Sequence, residues 1–423
     1  MPARASQVLP QVHRHNIYTL TDSSECGSEM EEDAEPSKRL TPLEKLTLEM
    51  CNDEDTIKEL TVGRRVGFYK VRGQIGCGNF SKVNLAVHAL TKDKVAIKIM
   101  DKMRLDLQTQ WMLSREIFNM ESLYHPNLLQ LYEVLETPSR LYLVLEFAGG
   151  GDLHTRISSG GKLSDQESKI VFAQILSAVK YMHENNIIHR DMKAENVLYT
   201  TNSCIKVADF GFSKRVNNRN QALDTFCDVW AMGVLLFFIV TGTFPFHADT
   251  VAKLRQSVLE GAYVLPTWVS APCQRLIRGN LRSDAHWTRC WVASGCCRWN
   301  SSGLFLPLYQ LNPVYLIEAS PAELDRDQEE VKGILEKLGV TQEHILNNQG
   351  KRIRSPITGV YRILLHRVKR NNGAESAPIV SGVVKDPKRD SLRAYRNLRT
   401  PLNCVCFLKG IVHPFFSVFL SIQ

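Results

Sequence analysis

The chain has 423 residues, 44% of them hydrophobic, so it is longer than one ordinary domain and can bury more than one core. Its 11 cysteines are an odd number and show no paired spacing, and the opening residues lack the charged, apolar and small-residue pattern of a secretory signal peptide. We therefore expect a cytoplasmic protein, with the nucleus as second location. The net charge of +8 is gathered near the C-terminal end, where we interpret the basic run as a solvated surface and expect no nucleic-acid partner.

Residues 1–66 are acidic, rich in Ser, Glu, Pro and Thr, and poor in aromatic residues. Such a composition buries little apolar surface, so we predict a mostly disordered N-terminal tail. The pattern allows one amphipathic helix, from Thr41 to Cys51. We assign no chemistry to this segment.

A strand pattern begins at Gly67 and leads into a glycine-rich hairpin from Gln74 to Val83. Glycines allow backbone amides to approach phosphate oxygens without a Cβ in the way. The hairpin alone is a weak signal, because most glycine hairpins are only turns, and Ser81 stands where a third glycine is usual.

The next strand, Val95 to Lys98, ends in a single cation. An ammonium group there can pair with phosphates if a carboxylate from the following helix holds it in place. The helix predicted from Gln110 to Leu123 supplies Glu116 for this role. The alternative is an exposed helical glutamate.

The motif that points most specifically to a chemistry runs from His189 to Asn196, and Asp209-Phe210-Gly211 follows it thirteen residues later. Apolar runs beside both polar clusters predict short strands, so each cluster lies on a tight turn. The polar groups are two carboxylates, an ammonium and a carboxamide, which suit Mg²⁺ and phosphate chemistry because Mg²⁺ prefers hard oxygen ligands. Asp-Phe-Gly alone would indicate only a turn.

Together these motifs resemble those of protein kinases, from about Gly67 to Cys227. Within that family the motif sequences resemble the calcium/calmodulin-kinase group and, inside it, the AMP-activated-kinase relatives. They are most similar to the NIM-type serine/threonine kinase of that set. The resemblance implies an α+β, bilobal protein-kinase fold, with a small β-rich lobe over 67–147 and a large α-rich lobe over 148–279. It also implies a serine/threonine kinase that uses ATP and Mg²⁺.

The resemblance further implies a role for each polar group. Asp191 would orient and deprotonate the substrate hydroxyl, and Lys193 would neutralise the transferring phosphoryl group. Asn196 and Asp209 would hold the metal ion.

The implied ATP pocket combines the hairpin with a hinge at the end of the small lobe, behind which Leu145 guards a back pocket. Protein substrates would carry a basic residue upstream of the target Ser or Thr, facing Asp152 and Glu195. The residues assigned to ATP are Ile75, Gly76, Cys77, Gly78, Asn79, Phe80, Ser81, Val83, Ala96, Lys98, Glu146 and Ala148.

The sequence departs from the family after Asp209-Phe210-Gly211. No Ala-Pro-Glu occurs, and Thr225 precedes Asp228 by only three residues, a span of about 10 Å at most. In the family Thr225 would receive a phosphate from an upstream kinase and pair with Arg190, so we expect that regulation to be weakened or lost. We predict impaired activity, with a catalytically inactive nucleotide-binding scaffold as the alternative.

The C-terminal third is predicted in three parts. Residues 280–311 are rich in Trp and Cys and follow no helix or strand period. Over 312–370, three short helical patterns resemble a degenerate ubiquitin-associated domain, which we expect to pack on the kinase rather than bind ubiquitin. The tail 371–423 is basic and then apolar, and its apolar run is too short for a membrane span.

Overall fold

A six-stranded antiparallel sheet forms the predicted small lobe. The structure is a computed structural model, and the residues it describes are 39–78, 81–200, 204–216, 225–281 and 321–372. The strands are β1 (Arg65–Val66), β2 (Tyr69–Cys77), β3 (Ser81–His88), β4 (Lys94–Asp101), β5 (Leu131–Glu136) and β6 (Arg140–Glu146). Their order in the sheet is β1-β2-β3-β4-β6-β5, so β5 is an edge strand.

Both faces of this sheet are buried, because successive residues of a strand point to opposite sides. On β6, Leu143 and Leu145 join the core that continues into the large lobe, whereas Tyr142 and Val144 belong to a second cluster on the other face. The first face is covered by helix α3 (Leu107–Ser122), whose buried residues join the same core.

The large lobe is mainly helical, with two small two-stranded antiparallel sheets. One pairs Val197–Tyr199 with Ile205–Val207 and the other pairs Ile187–Ile188 with Lys214–Arg215, and the two predicted catalytic motifs lie at the ends of these strands. The elements are α4 (Leu153–Gly160), α5 (Asp165–Glu184), β7 (Ile187–Ile188), β8 (Val197–Tyr199), β9 (Ile205–Val207), β10 (Lys214–Arg215), α6 (Phe226–Thr241), α7 (Val251–Glu260) and α8 (Ala271–Asn280).

A helical bundle combines the two ends of the described chain. Its helices are α1 (Pro42–Asn52), α2 (Glu54–Thr61), α9 (Pro321–Leu338), α10 (Gln342–Leu346) and α11 (Pro356–Asn371). Leu43 and Leu46 of α1 share a core with α9 and α11. Gly339 has φ 85° and lies so close to Thr41 that an added Cβ would overlap the Thr41 side chain.

This bundle modifies the prediction for residues 1–66. The predicted helix Thr41 to Cys51 corresponds to α1, whose Thr41 cap and Glu44 form a capping box. A second helix, α2, follows within the segment predicted to be mostly disordered. Helix α1 folds because its apolar side finds a partner surface in the C-terminal helices, which composition alone cannot show, and α2 packs against α1 and β1.

Helix α11 lies on the outer face of the sheet. Its Ile363 joins the cluster that contains Tyr142 and Val144. None of the helices in the described part of the chain is long and apolar enough to cross a membrane. Apart from their first two residues, the predicted segments 280–311 and 371–423 lie outside the described residues.

Candidate active site

A buried carboxylate beneath the loop 189–196 fixes its backbone. Asp228, in the first turn of α6, accepts the N–H groups of His189 at 2.9 Å and Arg190 at 2.7 Å. The Nε2 atom of His183 lies 2.8 Å from the same carboxylate. Burial favours the neutral acid, but the hydrogen bond and electrostatic attraction from His183, together with those from His189, outweigh it and lower the pKa of Asp228. These bonds anchor the loop 189–196 on the first turn of α6.

The loop brings three predicted catalytic and metal-binding groups together. The Lys193 ammonium donates to Asp191 Oδ2 at 2.7 Å. The Asn196 amide nitrogen donates to the carbonyl oxygen of Asp191 at 2.8 Å and to its Oδ2 at 3.0 Å. Asp191 is 8% exposed, so its carboxylate is held in one orientation at the edge of the cleft.

Lys98 joins the two lobes. Its ammonium lies 3.0 Å from Glu116 Oε1 on α3 and 3.7 Å from Asp209 Oδ1. Burial opposes the charge of this lysine, but the carboxylates of Glu116 and Asp209 outweigh it and raise the pKa of Lys98 above its ordinary value. This cation therefore stays charged at neutral pH.

Asn196 and Asp209 have the donor chemistry that Mg²⁺ needs. Both hydrogen bonds of Asn196 use its nitrogen, which leaves the side-chain oxygen as a possible ligand. The Asp209 side chain is 47% exposed, and although desolvation opposes ionisation, the charge of Lys98 lowers its pKa. Two hard oxygen donors are thus present where the sequence predicted a metal ion.

Four of the apolar residues assigned to ATP contact the main core. Ile75, Val83 and Ala148 pack against it as half-buried side chains, and Ala96 belongs to it as a buried one. Leu198 of β8, to which the sequence analysis gave no role, is half-buried against the same core.

The glycine-rich hairpin closes tightly. Gly78 N–H donates to the Ser81 carbonyl at 2.7 Å, and a Cβ on Gly78 would meet Ser81 Oγ at 2.9 Å. A side chain at position 78 would therefore displace the Ser81 hydroxyl. Of the residues assigned to ATP, Gly76 and Cys77 lie at the end of β2, whereas Asn79 and Phe80 lie outside the described residues.

Glu146 ends β6 at the predicted hinge. Its N–H donates to the Gln130 carbonyl at 2.9 Å, and its buried carboxylate lies 2.9 Å from the ammonium of Lys206. Lys206 was missed by the sequence analysis. A lysine at the centre of the apolar strand β9 was an available signal, because lysine is almost never fully buried unless paired.

The two predicted substrate-binding carboxylates differ in their surroundings. Asp152 caps α4, with its two oxygens accepting from Thr155 N–H at 2.7 Å and Thr155 Oγ1 at 2.8 Å. Glu195 lies half-buried in a short 3₁₀ turn against which α4 packs. Asp152 therefore has a structural role in this chain as the cap of α4, whereas its role in substrate binding stays a prediction.

The two residues of the predicted regulatory pair, Arg190 and Thr225, are held by different parts of the large lobe. Arg190 has φ 64°, and its Nε donates to the Phe212 carbonyl at 2.7 Å. Thr225 is the residue from which α6 begins, one turn before Asp228. Residues 217–224, which connect these regions, lie outside the described residues.

Comparison with known proteins agrees with this geometry. Residues 69–290, more than half of the chain, match the protein kinase domain. Over 332 residues, covering 74% of this chain, it is 37% identical to serine/threonine-protein kinase SIK1 of Mus musculus and 35% identical to serine/threonine-protein kinase SIK2 of Gallus gallus. The match spans 42% and 41% of these relatives, respectively. This chain belongs to the protein kinase family.

Proposed function

We propose that the chain binds ATP between its lobes and transfers the γ-phosphate to Ser or Thr of proteins that carry an upstream basic residue. The observation that most supports this is that two clusters of paired charged side chains form at the predicted site. Lys98 lies against Glu116 and Asp209, and Asp191 lies against Lys193. Kinase catalysis is almost entirely positioning and electrostatic stabilisation, which these ion pairs supply.

The proposed division of work follows from the contacts. Lys98, held by Glu116, binds phosphate oxygens of ATP. Asp191, fixed by Asn196, accepts the hydrogen bond of the substrate hydroxyl and takes its proton. Lys193 balances the charge of the transferring phosphoryl group. When bound through Asn196 and Asp209, Mg²⁺ supplies neutralisation of the phosphate charge.

Delivery of the hydroxyl is the weak step in this proposal. Only residues 217–224 separate Val216 from Thr225, where the family has a longer segment that forms the peptide-docking floor. Positioning can supply about 7–11 kcal/mol, so losing a third of it costs about 2–3 kcal/mol, or roughly a hundredfold in rate. This short connection also favours the second candidate, a nucleotide-binding scaffold without phosphotransfer.

Thermal melting of the purified chain with and without Mg·ATP tests the nucleotide site. We expect a rise in Tm with millimolar Mg·ATP, because binding to the folded state alone stabilises it. Lys98→Met should lose the rise when it is measured against the variant's own apo Tm, which should be lower because the buried Glu116 carboxylate loses its partner. No rise for the unmodified, folded chain would remove the ATP site from the proposal.

Peptide phosphorylation separates the two candidates. We compare kcat/KM for one basic peptide between this chain and a version with about twenty activation-segment residues of a relative inserted before Thr225. The proposal expects measurable transfer by this chain, abolished by Asp191→Asn, and about a hundredfold more by the longer version. Transfer unaffected by Asp191→Asn would favour the scaffold, with a contaminant as the source of activity.

A further inference from the structure

Helix α11 makes a polar contact with the hinge in addition to its apolar contact with the sheet. His366 lies on the inner side of α11 and is 3% exposed. Its Nδ1 lies 2.5 Å from the Tyr132 hydroxyl, and its Nε2 lies 3.5 Å from Glu146 Oε1. Glu146 is the last residue of β6 and the first residue of the predicted hinge. A residue from the C-terminal helix thus faces the residue that begins the hinge.

Glu146 is held from several sides. Its Oε1 faces both Lys206 and His366, and its Oε2 accepts the Gln130 N–H at 3.3 Å. A carboxylate that is only 5% exposed is costly unless charged or polar groups surround it, so these contacts determine where the side chain lies. Because the same residue donates its backbone N–H to Gln130, the position of the side chain fixes the strand end as well.

The neutral ring satisfies both of its polar neighbours with one tautomer. The Tyr132 hydroxyl donates to Nδ1, and the Nε2–H then faces the Glu146 carboxylate. Tyr132 lies on β5, so the contact spans the edge strand, the hinge and α11. Ile363, one turn before His366 on α11, makes the apolar contact with the same face of the sheet.

We propose that His366 is a positioning residue for adenine nucleotides: by holding Glu146, it sets the hinge backbone in the geometry that adenine requires. This inference rests on the proposed function, since it assumes that the nucleotide binds at the hinge. The competing explanation is that His366 only attaches the bundle to the small lobe. The two differ in what they predict for base selectivity, because attachment alone leaves the shape of the hinge unchanged.

The test measures equilibrium binding of ADP and GDP to the full chain by calorimetry, with Mg²⁺ present. His366→Ala should weaken ADP binding about five- to tenfold and reduce the ADP/GDP selectivity ratio. His366→Gln, which keeps a donor toward Glu146, should recover most of both. Ile363→Ala is the matched control, because it weakens the apolar contact of the same helix and should leave Kd and selectivity within about twofold.

Each outcome decides the inference. Equal effects of His366→Ala and Ile363→Ala, or an unchanged selectivity ratio in His366→Ala, would overturn it and favour simple attachment. If His366→Ala does not fold, Tyr132→Phe replaces it, with about a twofold to threefold loss of ADP affinity expected and no loss contradicting the inference. Failure of the unmodified chain to bind ADP would instead overturn the proposed function, and the inference with it.

Discussion

Replacing Glu133 by Gln should remove a pH dependence from the stability of the fold. Glu133 lies on β5 and is fully buried beneath α11. Its Oε2 accepts the Tyr69 hydroxyl at 2.6 Å, whereas its Oε1 has no hydrogen-bond partner among the residues that the structure describes. Burial raises the pKa of Glu133 from 4.5 to about 7, and the Tyr69 bond only partly opposes this.

The magnitude follows from linkage between protonation and folding. Between pH 4.5 and about 7, the unfolded chain has released this proton and the folded chain keeps it, so stability falls as the pH rises. A tenfold change in an ionisation constant is worth about 1.4 kcal/mol, so the loss across this window is about 3 kcal/mol. Above pH 7 Glu133 is ionised in both states, so its contribution to the free energy of unfolding no longer changes with pH. Glutamine has nearly the same shape and no charge, so Glu133→Gln should not show this loss.

Urea unfolding of the full chain at several pH values between 5 and 8 measures the effect. The free energy of unfolding of Glu133→Gln minus that of the unmodified chain should increase by about 2–3 kcal/mol across this range. Glu136→Gln is the matched control, because Glu136 lies on the same strand but is exposed. Parallel curves for Glu133→Gln and the unmodified chain would show that Glu133 is already ionised in the folded state.

Two further predictions concern the bundle and the activation segment. Gly359→Ala should destabilise the chain by about 1–3 kcal/mol in urea unfolding, because the new Cβ would meet Glu133 Oε2 at 2.6 Å. Gly333→Ala is the control: it has open space around it and should be neutral or stabilising by up to about 1 kcal/mol. Equal effects of the two variants would contradict the packing of α11 on β5. Thr225→Glu should leave kcat/KM for a basic peptide within about twofold, because Thr225 starts the helix that carries Asp228; a tenfold rise would show that a negative charge there still orders the segment.

The residues of the catalytic loop and the small-lobe cation could be placed from the sequence, because their contacts are largely local or follow motif spacing. Asp191, Lys193 and Asn196 lie within one turn, and their mutual hydrogen bonds require only that the loop close as its motif predicts. Lys98 and Glu116 are eighteen residues apart, on a strand and the next helix. Such short separations leave few alternative arrangements.

The contacts of the hinge could not be placed in this way. His366 lies 234 residues from Tyr132, and no periodicity links two positions so far apart. One signal was nevertheless available in the strands. The runs Val95 to Ile97 and Leu141 to Leu145 are apolar without alternation, which is typical of a strand buried on both faces and therefore indicates a cover on the outer side. The sequence does not tell which segment provides that cover.

The ATP-handling groups and the peptide platform are separable in this chain because they depend on different anchors. Asp228 holds the loop backbone from α6, and this requires only that the chain return to the start of that helix. Residues 217–224 connect Val216 to Thr225 and can span about 30 Å at most. In the family a longer segment at this place forms the docking floor, and about twenty of its residues have no counterpart in this chain. Nucleotide binding can therefore persist while hydroxyl delivery fails, which is why base selectivity and peptide transfer must be measured separately.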